Sequence, residues 1–277
     1  MQLQRLALIL VVLAAQGAPQ QKGNKSNMSP QQVVEQVRKK DRSVLESGRI
    51  GADSSPALVQ LLKDRDPDVR ELAVRTLDLA GGPVATDGLF QALQDPIEMT
   101  RAAAARSLHT HATAANLPVA KKELSSNRLE YVREQMALLI GEIGGSPDIP
   151  TLLARRSVEK DEPAKHAILL ALCRLGHPPS IQEFLQQLTA DDPAIRVARL
   201  EDLPYINDRK LAHYVLPLLD DLRDGKNVGP SHGPTFIRVC DVAINELDKL
   251  LNHPFPFIVE FMRRYSPEEI ARAKMFL

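Results

Sequence analysis

The sequence predicts an all-α protein, an α-solenoid of about six helical hairpins closed by a capping helix at each end. Three observations predict it. One helical register recurs every 31 or 32 residues, aromatic residues are only 4% of the chain, and acidic-Pro pairs punctuate the apolar stretches at similar intervals. The 277 residues carry 35 Lys+Arg against 35 Asp+Glu, with two Cys and no Trp. A balanced charge without basic clusters argues against a phosphate-neutralising surface, and so against nucleic acid as a partner. Two cysteines in a chain of this length exclude a small disulfide-stapled fold.

Residues 1–17 read as a signal peptide. Arg5 precedes the apolar run LALILVVLAA, Leu6 to Ala15, too short for a hydrocarbon core that takes about 20 residues. Ala15 and Gly17 stand where the small residues of a cleavage site belong. The expectation is an exported protein, periplasmic or secreted, without stable membrane insertion after cleavage. Residues 18–28 have too little apolar content to fold and read as a disordered linker. Residues 29–55 read as an N-terminal cap, with Ser29, Pro30 and Gln32 in a capping-box pattern ahead of Val33, Val34 and Val37.

The array occupies residues 56–251. Taking Arg70, Arg101, Arg133, Lys165 and Arg196 as origins, the positions one before, three after and seven after are Val69, Ala73 and Leu77; Thr100, Ala104 and Leu108; Val132, Met136 and Ile140; Ala164, Ile168 and Leu172; Ile195, Arg199 and Leu203. At about 100° per residue these fall within about an 80° arc, which makes each copy one buried stripe of a helix. A sixth copy, Val239, Ala243 and Leu247 about Cys240, follows an insertion. Upstream of each lies a shorter apolar helix, such as Leu58, Leu61 and Leu62 or Ile181, Phe184, Leu185 and Leu188. Asp66-Pro67, Asp95-Pro96, Glu162-Pro163 and Asp192-Pro193 separate the two helices, with the acid as cap and Pro in the first turn. A single hairpin cannot bury its own stripe, so neighbours must stack into a continuous core.

The runs DPDVRELAVRTLDLAG (66–81), LEYVREQMALLIGEIG (129–144) and DPAIRVARLEDL (192–203) resemble the HEAT repeat family, in the short bacterial form related to phycobiliprotein-lyase repeats. The resemblance implies a solenoid whose second helices line the concave face, and an inter-helix Asp that pairs with the Arg of a neighbouring repeat. On that rule Asp66, Asp95, Asp161 and Asp192 form a ladder with Arg70, Arg101, Arg133, Lys165 and Arg196. Repeat three offers Ser126 and Asn127 instead of the Asp, which leaves a gap there.

On each second helix the position five after the origin points away from the core stripe. That series, Arg75, Arg106, Leu138, Leu170 and Glu201, runs from basic through apolar to acidic. It is the expected surface for a helix or strand of another protein or peptide. Residues 223–235 hold three Gly, two Pro and Asn, so an irregular recognition loop presenting Lys226, Asn227 and His232 is expected. Residues 252–277 form a C-terminal aromatic tail or cap in which Ser266 and Pro267 open a last helix.

Chemical motifs are sparse. Cys173 and Cys240 lie two repeats apart and are expected as buried thiols. Ser157 and Lys160 match S-x-x-K without the companion motifs that would give it meaning. No His is followed by Glu, so the iron site of deoxyhypusine hydroxylase, an enzyme of similar architecture, is not implied. The alkylpurine glycosylases of similar fold need a basic, aromatic groove that this composition lacks. The expectation is a monomeric, non-enzymatic interaction scaffold of the cell envelope, without catalytic residue, metal or cofactor. The alternative is a lyase-like or other enzyme-accessory factor built on the same repeats.

Overall fold

A computed structural model describes residues 27–48, 50–227, 236–261 and 263–276. The signal-peptide segment 1–17, nearly all of the linker 18–28, and His232 lie outside the described residues. The fold opens with α1 (Pro30–Arg38), whose N-terminus is a reciprocal capping box. The Ser29 backbone N–H donates to Gln32 Oε1 at 2.9 Å, and the Gln32 N–H donates to Ser29 Oγ at 3.3 Å. Val33 and Val37 are buried, and two 3₁₀ turns at 42–46 and 52–54 complete the entry to the array.

Five α-helical hairpins follow: α2 (Ser55–Leu61) with α3 (Pro67–Ala80), α4 (Gly82–Ala92) with α5 (Glu98–His111), α6 (Leu117–Ser126) with α7 (Glu130–Ile143), α8 (Ile149–Val158) with α9 (Glu162–Arg174), and α10 (Pro178–Leu188) with α11 (Pro193–Ile206). In the sixth unit the first helix is reduced to α12 (Ala212–Val215) between 3₁₀ turns, and the second is α13 (Val239–Leu251). The tail ends in α14 (Pro267–Lys274), again with a capping box, formed by Ser266 and Glu269.

The stripe residues are the core. Ala73, Leu77, Ala104, Leu108, Val132, Met136, Ile140, Ala164, Ile168, Leu172, Val239, Ala243 and Leu247 are all fully buried. The fifth copy departs from the register: Ile195 is 43% exposed and Arg199 half-buried, while Val197 and Leu200 turn inward. The first strand of the insertion packs against this helix. A Cβ at Gly225 would stand 2.9 Å from the Pro193 carbonyl oxygen, so only glycine lets the strand approach α11 this closely.

Part of the segment expected to be irregular is in fact ordered ribbon. β1 (Asp224–Asn227) pairs antiparallel with β2 (Phe236–Arg238), Lys226 opposite Ile237, with a bulge between Asp224 and Lys226. Turn-rich composition misled the reading because the partner strand begins just beyond the Gly/Pro cluster.

The ladder follows a different rule from the expected one. Asp66, Asp161 and Asp192 are helix N-caps that accept from the backbone N–H of Asp68, Ala164 and Ala194. In two of the three rungs the acid that reaches a neighbouring Arg, Asp95 or Glu159, stands two residues before the cap. Arg70 is held bidentately by Asp95, Nε to Oδ2 at 2.6 Å and Nη2 to Oδ1 at 3.2 Å. Arg133 is held the same way by Glu159 at 2.7 and 3.0 Å. Arg196 pairs with Asp221 at 2.9 Å. At Asn127 and Ala190, which occupy the corresponding positions, there is no carboxylate. Arg101 accordingly has no acidic partner among the described residues, and Lys165 pairs only within its own helix, with Glu162. In every Arg repeat the guanidinium also donates to carbonyls of its own inter-helix turn, as Arg101 does to Asp95 and Pro96. Rungs therefore link repeats one to two, three to four and five to six, and skip the junctions between.

Candidate functional surface

The expected apolar centre of the concave face is closed. Leu138 and Leu170 are 5% and 3% exposed, so they form packing between hairpins and no free surface for a partner. Two residues missed in the sequence explain this. Gly141, in mid-helix, lets α7 and α9 come so close that a Cβ there would lie 2.9 Å from the Ala171 Cα. Tyr205, near the end of α11, then reaches past α9 and donates its hydroxyl to the Leu138 carbonyl at 2.6 Å. The Arg174 guanidinium lies 5.3 Å above the Tyr205 ring and also donates to the Tyr205 carbonyl. Burial keeps the Tyr205 phenol well above its usual range, so it acts as a neutral donor.

The flanks of the series are polar, as expected, but mostly engaged. Arg75 binds Glu71, which also accepts from Arg42 of the N-terminal cap. Arg106 is exposed. Glu201 is held by Lys226 of β1, which pins the ribbon to α11. Asn227 ends that strand.

Three histidine pairs, also missed, cross between second helices. His111 meets Asp78 at 2.9 Å, joining α5 to α3. His109 Nδ1 meets Glu142 at 2.6 Å and its Nε2 meets Gln135 at 3.2 Å, joining α5 to α7. His166 Nε2 meets Asp202 at 2.9 Å, and Arg199 Nη1 lies 2.6 Å from His166 Nδ1, joining α9 to α11. An imidazole protonated on Nε2 satisfies both His166 contacts, donating to Asp202 and accepting from Arg199. Spacings of 33 to 36 residues between partners were the available signal, since the repeat length brings such positions side by side. His109 with Glu142 is an imidazole oriented by a carboxylate and about a quarter exposed, with its second ring nitrogen taken up by Gln135.

Other reactive groups are muted. Burial pushes the Cys173 thiol up to about 12 and the Cys240 thiol up to about 11, so neither offers a ready thiolate at neutral pH. Among the described residues no group of three or more His, Cys, Asp or Glu is placed to hold a metal ion. Burial also lifts the Glu246 carboxyl to about 7, where it faces Lys249 and lies near Glu201 and Lys226.

The C-terminal tail caps the array and leaves apolar surface outside. Tyr265 is 2% exposed and donates to Asn245 at 2.7 Å, while Asp241 binds Arg238 and the Tyr265 N–H. Ile258, Phe261, Met275 and Phe276 remain more than half exposed.

Comparison with known proteins agrees with this architecture. Residues 55–140 match the family described as HEAT repeats. The solved structure of the complex of CpcE and CpcF of phycocyanin lyase from Nostoc sp. PCC7120 contains a chain of similar fold. That chain is 17% identical, with a TM-score of 0.51, over 95% of this chain and 98% of the other. No curated protein matches. The two findings together establish the fold as a helical solenoid of HEAT-like repeats. The expectation of a non-enzymatic protein is corrected by the same finding. A chain from a lyase complex carries this fold nearly end to end, so the repeat architecture gives no ground for excluding catalysis.

Proposed function

We propose that this chain is a lyase-like factor, a solenoid subunit that acts on or with a protein held against its second-helix face. The observation that carries the reading is the nearly end-to-end correspondence with a chain of the two-protein phycocyanin lyase complex. Matching over one or two repeats would speak only of the hairpin; matching over both chains supports a shared whole. The closed centre and polar flanks favour a contact spread along the array over one apolar groove. On this reading Arg106, His109 with Glu142 and Gln135, and Arg75 face the bound protein, and His109 is its acid-base group.

Residues 1–17, read as an export signal, would place the protein served in the cell envelope; fractionation of a tagged full-length chain tests this. The function itself is tested by capture of the full chain from its native cells. The expected result is a stoichiometric protein partner, with a covalently modified client or a retained prosthetic group seen by absorption and mass spectrometry. His109→Ala and Glu142→Gln should abolish the modification while the partner remains bound. Capture of the chain alone, without client or group, would overturn the reading.

A further inference from the structure

The junction between the second and third repeats differs from every other. Elsewhere each repeat meets the next either through one broad helix contact, α7 against α9, or through two packed elements: α3 against both α4 and α5, α9 against α10 and α11, and α11 against α13 and β1. Between repeats two and three, α5 touches α7 over a small area, and α4 and α6 barely meet. The rung that would lock this junction is absent. Arg101 caps its own turn with Nη1, but its Nε is buried without a partner. In the rungs of Arg70 and Arg133 that same Nε donates to a carboxylate. Asn127 stands where the acid would be, its Oδ1 accepting from the Leu129 N–H just as Asp95 Oδ1 accepts from Ile97. Its other terminal atom is an amide nitrogen, which cannot accept from Arg101 and donates instead to Glu123 at 2.6 Å.

The polar ties across the junction, among the described residues, are His109 with Glu142 and Gln135, and Gln94 with Glu123. All are solvent-accessible. The junction between repeats four and five also lacks its rung, but Tyr205 bolts that one by reaching α7.

We infer that the protein bends as two bodies, residues 30–116 and 117–274, about a hinge between α5 and α7 that opens and closes the second-helix face. The inference does not depend on the lyase-like reading, since it concerns how the array moves whatever it binds. Packed cores deform little, so motion collects where burial and rungs are fewest.

Spin labels on K63C and Q182C, both exposed positions, report the distance between the bodies, and labels on K122C and Q182C report one body internally. Cys173 and Cys240 are buried, which directs labelling to the introduced thiols. The full chain should give a broad distribution between the bodies and a narrow one within the second. N127D completes the rung and should narrow the inter-body distribution and slow amide exchange in α5 and α7. H109A should broaden it. An inter-body distribution as narrow as the internal control, or one that neither variant moves, would overturn the hinge.

Discussion

The junction of repeats two and three and the junction of repeats three and four are built from the same sequence pattern yet differ in kind. At the latter, Arg133 and Glu159 are 9% and 1% exposed and joined by two hydrogen bonds, and Arg155 adds two more to Glu159 at 3.0 and 2.7 Å. The Arg133 guanidinium beside it holds the Glu159 carboxyl far below the usual carboxylate range. At the former, Arg101 has no acid, and packing is slight. A single position two residues before the helix cap separates the two cases. The repeat dictates where a rung can form, and that one residue dictates whether it does.

The comparison breaks most sharply at Glu159. Replacing it with Gln strands a buried Arg133 and should cost about 3–5 kcal/mol in chemical denaturation, whereas Asn127→Ala at the equivalent position, which loses the bond to the Leu129 N–H but strands no charge, should cost about 0.5–1.5 kcal/mol. Equal effects would erase the distinction. Because the folded state depresses this carboxyl, its contribution is complete above the ordinary carboxylate value and is lost as pH falls below it. The acid limb of a stability-versus-pH curve should therefore flatten in Glu159→Gln.

Gly141→Ala comes next. The methyl group would press on the Ala171 backbone and on the Tyr205 hydroxyl, and about 1–3 kcal/mol of destabilisation is expected from overpacking. Tyr205→Phe removes one hydrogen bond and keeps the ring, so thermal unfolding should show a loss of about 0.5–1.5 kcal/mol. Smallest is His109→Ala, a partly exposed pair worth about 0–1 kcal/mol. A larger loss there would mean the hinge is held more firmly than its geometry shows.

The fold was legible because the stripe residues repeat at the interval a hairpin requires, and burial of all of them but Ile195 and Arg199 to zero or a few per cent follows from that spacing. Capping signals at Ser29 and Ser266 were equally readable, being local. What escaped was whatever depends on two repeats at once. Helix periodicity turns Arg75, Arg106 and Glu201 away from the core stripe, but periodicity cannot tell a free face from one covered by a neighbour. Leu138 and Leu170 are the consequence. Asp95 was read correctly as a rung acid for Arg70, but Asp161 and Asp192 were mislocated for a related reason, since a cap and a rung use the same residue type two positions apart. Asp221 was invisible in that role because it precedes the ribbon and no helix cap follows two residues after it, although it stands the same 25 residues beyond Arg196 as Asp95 does beyond Arg70.

The Tyr205 contact joins positions 67 residues apart in a molecule whose other contacts run mainly between neighbours. Arrays of this type ordinarily lose units from either end one at a time. Here the third, fourth and fifth hairpins are stitched together, so a chain cut before residue 205 should forfeit more than its missing piece, and melting should proceed in blocks with this central block the last to go.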